Sequence, residues 1–171
     1  LWTGGSSDDS LVNVGIGTYK VIVTDVNGCI DSSEVSVTQP DSLNTLASII
    51  SDLNGEMISC FGYTDGKGVT NTSGGTGIYS YLWSNNDMDD TLNDVGIGSY
   101  SITVTDVNGC VDTSSITFSE PDTFTVSFVI DTVSCNGGND GGIDITVSGA
   151  TPAYDYQWSG PSSYSAISED I

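Results

Sequence analysis

Histidine and arginine are both absent from this chain of 171 residues, whose only basic side chains are Lys20 and Lys67. With 23 acidic residues, the net charge is −21. Binding to nucleic acid or to an anionic membrane surface needs lysine and arginine, so the charge excludes both partners. Without histidine, Ser-His-Asp and Cys-His catalytic centres are excluded as well. No apolar run approaches the roughly 18 residues of a spanning helix, so we expect no membrane span.

The rest of the composition is typical of a folded chain built from strands. Hydrophobic residues make up 37% of the chain and charged residues 15%, a balance that does not suit a disordered acidic tail. Valine, isoleucine, threonine and tyrosine are prominent and suit half-buried strands, while the 21 glycines suit the turns between them. We therefore expect an all-β protein.

An internal repeat organises the chain. Residues 14–29 (VGIGTYKVIVTDVNGC) and 95–110 (VGIGSYSITVTDVNGC) are identical at 12 of 16 positions, at an offset of 81. A second offset, of 75, maps 58–60 (ISC) onto 133–135 (VSC). A period of about 75–81 residues predicts three units, and the two incomplete ones predict a native chain that continues on both sides. The units are 1–41, the C-terminal half of a repeat; 42–121, a complete repeat; and 122–171, the N-terminal half of the next.

Within each period, short alternating strands lie between turn signals. Asn108-Gly109, between two alternating runs, is a strong hairpin signal. Six or seven strands in about 80 residues predict tandem immunoglobulin-like β-sandwiches. Tyr19 and Tyr100 open the penultimate strand, where such folds place a corner tyrosine, and Trp83 and Trp158 occupy the strand that carries the central tryptophan. We interpret these four aromatics as core residues, with a sugar-stacking platform as the alternative.

Several segments together resemble the SprB repeat, which recurs in very large surface adhesins of gliding Bacteroidetes. Residues 61–74 (FGYTDGKGVTNTSG) depart from the family's NGGNDG pattern, which affects that loop alone. The segments that carry the resemblance are 134–142 (SCNGGNDGG), 146–159 (TVSGATPAYDYQWS), 95–110 and 119–122 (SEPD).

The resemblance implies an extracellular filament on the bacterial cell surface, exported by type IX secretion and moved during gliding. Its implied partners are neighbouring repeats of the same chain, the outer-membrane gliding and secretion machinery, and a surface polysaccharide or substratum. We expect a structural and adhesive role and no enzymatic activity, because the carboxylates recur with the unit instead of forming one active site. The alternatives are an immunoglobulin-like spacer or a carbohydrate-binding module of a secreted polysaccharide-active protein.

Four cysteines recur in step with the repeat, at Cys29, Cys60, Cys110 and Cys135. An extracellular setting permits disulfides. Three arrangements stay open: a bond between neighbouring repeats, a Cys60–Cys110 bond within one unit, or free thiols and other pairings. In an immunoglobulin-like topology Cys60 and Cys110 fall at opposite ends, whereas neighbouring units bring the first-strand cysteine near the next Asn-Gly-Cys turn. Zinc is not expected, since no Cys-x-x-Cys or histidine is present.

Calcium is the one cofactor that the residues suggest. Carboxylate and amide oxygens recur at loop ends and at the junctions between units, where hard oxygen ligands suit Ca²⁺. The alternative is that these side chains shape turns and keep the surface solvated. The candidate ligands are Asp25, Asn27, Asp41, Asp87, Asp89, Asp106, Asn108 and Asp122.

The last group of candidate residues consists of possible acceptors for O-glycosylation. Four Asp-(Ser/Thr)-aliphatic triplets resemble the signal for O-glycosylation in Bacteroidetes, although about two would occur by chance in so acidic and hydroxyl-rich a chain. The acceptors would be Ser10, Ser42, Thr91 and Thr132.

Overall fold

The computed structural model describes residues 1–2 and 8–170. Over these residues it contains β strands, one short 3₁₀ turn at Pro161–Ser163 and no α-helix. No helix of the described part is long and apolar enough to cross a membrane. The strands are β1 Gly17–Thr24, β2 Ile30–Val37, β3 Asn44–Ile49, β4 Gly66–Ser73, β5 Ser80–Trp83, β6 Thr91–Val95, β7 Gly98–Thr105, β8 Val111–Phe118, β9 Thr125–Asp131, β10 Gly142–Ser148, β11 Trp158–Ser159 and β12 Ser165–Ala166.

A β-sandwich occupies the middle of the chain. One sheet has the strand order β3-β4-β6 and the other has the order β5-β7-β8, all antiparallel. Alternate side chains of both sheets point into a shared core, which is the arrangement of an immunoglobulin-like fold. The predicted all-β, immunoglobulin-like class is confirmed. The buried core residues are Ala47, Ile58, Trp83, Leu92, Val95, Ile102, Val104, Ile116 and Phe118.

Strand β4 contributes to this core through residues that carry no apolar signal. Its inward positions are Gly66, Gly68 and Thr70, all buried. A Cβ on Gly68 would lie 2.6 Å from Ile116 Cδ1, and one on Gly66 would lie 2.9 Å from Phe118 Cδ1. The two glycines therefore make room for large side chains of the opposite sheet, which explains why this strand is so polar in sequence.

Residues on either side of the sandwich form two-stranded sheets with the same register. Strand β1 pairs with β2 as β7 pairs with β8, so Gly17 faces Val37 as Gly98 faces Phe118. Strand β9 pairs with β10 as β3 pairs with β4. Each flanking sheet thus reproduces one part of the central sandwich, while the domain boundaries at residues 41 and 121 stay a prediction.

Candidate functional site

Two of the four predicted core aromatics are tryptophans whose indole N–H groups donate to carbonyls of the following loop. Trp83 is 1% exposed, and its indole N–H donates to the Asp89 carbonyl at 3.1 Å. Trp158 is half-buried and donates to the Ser168 carbonyl at 2.9 Å. Because the ring of Trp83 has no exposed face, it offers no sugar-stacking platform in the central sandwich.

The corner tyrosines brace the loop that precedes their own strand. The Tyr100 hydroxyl donates to the Gly96 carbonyl at 3.3 Å, and the Tyr19 hydroxyl donates to the Gly15 carbonyl at 2.9 Å. A tyrosine that returns to the backbone four residues upstream is the tyrosine corner of immunoglobulin-like folds. These side chains fix the Gly-Ile-Gly corner in place.

The Asp-x-Asn-Gly turns are organised by their aspartates. Asp106 Oδ1 accepts the N–H groups of Asn108 at 2.9 Å and Cys110 at 2.8 Å. Its Oδ2 accepts the N–H of Thr76 at 2.9 Å and so links the turn to the loop before β5. These donors stabilise the anion, the Cys110 N–H most strongly, and hold the pKa of Asp106 below its ordinary value.

Asp25 repeats this arrangement in the first unit. Its Oδ1 accepts the N–H groups of Asn27 at 2.9 Å and Cys29 at 2.7 Å. Its pKa is also lowered, chiefly by the Cys29 N–H. A carboxylate kept anionic in this way shapes its turn and is a poor proton donor at neutral pH.

The aspartates at the junctions between units, Asp41 and Asp122, accept hydrogen bonds through their main-chain carbonyls. Asp41 O accepts the N–H of Gly75 at 2.8 Å, and Asp122 O accepts the N–H of Ala150 at 2.8 Å. Beside Asp41 lies a cleft of about 330 Å³ whose walls include Pro40, Asp106 and Cys110. Each junction is therefore tied to the loop after the second strand of the unit that follows it.

The remaining calcium candidates lie in the loop after β5. Asp87 Oδ1 accepts the N–H of Asp89 at 3.1 Å, and Asp87 O accepts the N–H of Trp83 at 2.8 Å. Within residues 1–2 and 8–170, no three His, Cys, Asp or Glu side chains are grouped so as to hold a metal ion. Calcium binding stays a prediction.

The cysteines lie at the two ends of the units. All four are exposed free thiols. Cys110 borders the cleft beside Asp41, whereas Cys60 borders a cleft of about 470 Å³ beside Asp122. The Glu120 carboxylate accepts the Gly62 N–H at 2.7 Å and holds the Cys60 loop at that far end. Cys60 and Cys110 of one unit are thus remote from each other, and the pairing between units stays a prediction.

A serine–aspartate pair in the loop after the first strand was missed by sequence reasoning. Ser134 donates both its N–H and its hydroxyl to the Asp140 carboxylate, at 3.1 and 2.6 Å. Ser59 and Asp65 form the same pair, with an N–H···O distance of 3.1 Å and a short hydroxyl contact. The serine hydroxyl is the main cause of the lowered pKa of Asp65 and of Asp140.

The offset of 75 carries the signal for that pair, because it places Asp65 on Asp140. The segment of residues 61–74, which includes strand β4, therefore differs from its counterpart in sequence but keeps the same hydrogen-bonded aspartate. A comparison of residue identities alone overlooks the serine–aspartate pair, because the residues between the serine and the aspartate have changed.

The candidate glycosylation residues lie on the surface. Ser10, Ser42 and Thr132 are exposed, and Thr91 is half-buried at the start of β6. Their modification stays a prediction.

Comparison of the chain with known protein families identifies two segments that share this hydrogen-bonded geometry. The family model described as the SprB repeat matches residues 58–88 and 127–163. Each matched segment contains the serine–aspartate pair, a tyrosine that donates to a glycine carbonyl five residues earlier, and the central tryptophan. No curated protein and no solved structure matches the chain. The SprB repeat is a structural repeat associated with the cell surface. Residues 58–88 and 127–163 are therefore similar to the SprB repeat.

Proposed function

We propose that the chain is a stretch of tandem immunoglobulin-like repeats in a large secreted adhesin of gliding Bacteroidetes. In this role it is exported by type IX secretion, extends from the cell surface as a filament and has no catalytic activity. The observation that carries the proposal is the pair of SprB-repeat matches, which share one hydrogen-bonded framework.

The path of the chain through the central sandwich suits a filament. The chain enters beside Asp41, at the end that holds the Asp106 turn, and leaves through Glu120, at the end that holds the Cys60 loop. Entry and exit at opposite ends let successive units follow one another lengthwise. The length of the filament then grows with the number of repeats. Its free energy of unfolding is roughly the sum of the stabilities of the units and of the contacts between neighbouring units.

The charge supports an extended array. The net charge of −21 is distributed over the units, with acidic side chains at the turns and junctions. Like charges on neighbouring filaments repel and keep the arrays solvated. Adhesion would then come from weak contacts repeated along the filament, whose joint effect exceeds that of any single contact.

The structure offers little support for a carbohydrate-binding module. Such a module would stack a sugar on an exposed tryptophan, but Trp83 is buried and its N–H is bonded within the protein. The carboxylates of Asp65 and Asp106 have lowered pKa values, which suits hydrogen-bond acceptors better than the general acid of a glycosidase.

Surface labelling and an in-register deletion test the proposal. Antibodies against residues 122–171, which both deletions described below retain, should label intact cells of the source bacterium, and protease shaving should remove both the label and adhesion. Deleting residues 41–121 joins Pro40 to Asp122 and recreates the Pro-Asp junction, so the shortened protein should still reach the surface. A matched deletion of residues 61–121 leaves a broken unit and should reduce display. Labelling that requires permeabilised cells, or unchanged adhesion in cells without the protein, would contradict the proposal.

A further inference from the structure

The first and last strands of the central sandwich lie side by side. Strand β3 is at the edge of one sheet, strand β8 is at the edge of the other, and the two strands are in contact. An edge strand pairs on one side only, so every second N–H group of β3 points away from β4. Thr45 and Ala47 of β3 are buried, and a buried N–H group without a partner costs free energy. These two residues therefore need acceptors from outside their own sheet.

Strand β8 supplies the acceptors through its side chains. The Thr45 N–H donates to Asp112 Oδ2 at 2.6 Å, and the Ala47 N–H donates to Ser114 Oγ at 3.0 Å. We call these two hydrogen bonds the edge clamp. The bond to the carboxylate is charge-assisted and is therefore the stronger of the two. The edge clamp joins the first strand of the unit directly to its last strand.

The order of side chains along β8 creates the edge clamp. Positions 112, 114, 116 and 118 share one face of the strand, because side chains alternate between faces. The first two, Asp112 and Ser114, are polar, whereas the last two belong to the hydrophobic core. At the offset of 81 the first unit carries the identical residues Asp31 and Ser33, again followed at every second position by valine. The acceptors of the edge clamp therefore recur with the repeat.

The two strands of the edge clamp run in the same direction. Both hydrogen bonds join residues that are 67 positions apart in sequence, so β3 and β8 advance together along the clamp. Strand β3 follows Asp41 at one end of the unit, and strand β8 leads to Glu120 at the opposite end. Neighbouring units therefore pull on β3 from one end and on β8 from the other.

Tension along the chain loads the edge clamp in shear. A pull on the two ends of the unit draws β3 towards the Asp41 end and β8 towards the Glu120 end, so the strands tend to slide past each other. Because both hydrogen bonds lie across the strands, they are stretched together and have to break together. A pull on adjacent ends of the two strands would instead open the bonds one after another, which needs less force.

We propose that the edge clamp is the element that resists stretching of the repeat. Its use in the cell rests on the proposed filament role, since a filament that is anchored at one end and attached at the other is under tension. Its mechanical effect rests on the geometry of the central sandwich alone. The acceptors are side chains, so substitutions can remove them while the backbone ladders β3–β4 and β7–β8 stay in place.

Stretching single molecules at constant force measures the resistance. The 171-residue chain is held by its two ends, and opening of the central sandwich is recognised by the release of about 250 Å of chain from roughly 75 residues. Asp112→Ala combined with Ser114→Ala should raise the rate of this step about 10- to 100-fold, because one charged and one neutral acceptor are lost. Ser114→Ala alone should give a smaller rise. Asp112→Asn, which keeps an acceptor oxygen, should retain part of the resistance.

The opposite face of β8 provides matched controls. Thr113 and Ser115 are exposed, and Thr113→Ala and Ser115→Ala should leave the rate at constant force unchanged. The emission of Trp83, in a background with Trp2→Phe and Trp158→Phe, verifies that each variant is folded before it is stretched. An unchanged rate in the double variant would overturn the proposal.

The direction of pulling distinguishes a clamp from a general loss of stability. A handle on the exposed Cys110 thiol, with the other three cysteines changed to serine, allows pulling between the N-terminal end of the chain and the start of β8. Both points of attachment then act at the Asp41 end, so the bonds of the edge clamp open one after another. The double variant should be accelerated strongly in end-to-end pulling and much less in this direction. Equal acceleration in both directions would show that the two side chains only stabilise the fold and would refute the clamp.

The edge clamp and the adhesin role can fail separately. Surface labelling of cells tests the adhesin role, whereas stretching of the purified chain tests the edge clamp. Unlabelled cells together with a direction-dependent effect of the double variant would remove the filament role and leave the clamp in place. Labelled cells together with an unchanged rate would remove the clamp and leave the adhesin role in place.

Discussion

Replacing Val104 by alanine should destabilise the central sandwich, whereas the same change at Val23 should not. The two valines stand in nearly identical sequences, ITVTDVNGC and VIVTDVNGC, on strands with the same pairing register. They differ in burial, since Val104 is 0% and Val23 is 61% exposed. The comparison therefore isolates tertiary packing from local sequence.

The magnitude follows from the two methyl groups removed. Burial contributes about 0.8 kcal/mol per carbon, so Val104→Ala loses about 1.6 kcal/mol of transfer free energy. The unfilled space adds roughly 1 kcal/mol, giving a loss of about 2–3 kcal/mol. For a unit of this size each kcal/mol lowers the melting temperature by about 4–8 °C. Val23→Ala should change the free energy of unfolding by less than about 0.5 kcal/mol.

Tryptophan fluorescence provides the assay. In a background with Trp2→Phe and Trp158→Phe, the emission reports only on Trp83 in the sandwich core. Urea unfolding then gives the midpoint for each variant. Equal midpoints for Val104→Ala and Val23→Ala would refute the assignment of the core to β3–β8.

Three further tests address the core and the turns. Gly68→Ala should lower the free energy of unfolding by about 1–3 kcal/mol, because its Cβ would lie 2.6 Å from Ile116 Cδ1; Gly15→Ala, with no atom within 4 Å, is the control. The pKa of Asp106 lies below its ordinary value of 3.8 in the folded state. The ionised Asp106 carboxylate therefore stabilises the fold fully above pH 3.8, and this contribution is lost as the pH falls through the lower pKa of the folded state. The urea midpoint should therefore drop as the pH is lowered towards 3. The drop should be less steep in Asp106→Asn, which has no carboxylate to protonate. The melting temperature should agree between millimolar calcium and chelator, since the Asp106 carboxylate already accepts three N–H groups; a calcium-dependent rise that Asp106→Asn removes would instead assign a site there.

Much of the fold was predictable because its signals are local. The Asn108-Gly109 turn lies between β7 and β8, as the alternation on either side predicts. The inward positions of Ile102 and Val104 follow from the period of two along a strand. Strand β4 was harder, because Gly66 and Gly68 are core positions only by virtue of the large residues opposite them.

The candidate site was predictable in residue type but less so in role. The recurrence of Asp106 and Asn108 made them candidate calcium ligands, and the structure gives the Asp106 carboxylate three backbone donors, one of which is the distant Thr76 N–H. The Ser59–Asp65 pair was missed, because the sequence of its loop differs from that of its counterpart although the hydrogen bonds are the same.

The sequence by itself determined the period, the strands, the turns and the SprB-like character of this chain, since each depends on neighbouring residues or on self-comparison. The tertiary structure alone decided which of two equivalent valines is buried and which glycines belong to the core. The physical reason is that burial depends on the segment lying opposite, and that segment is far away in sequence.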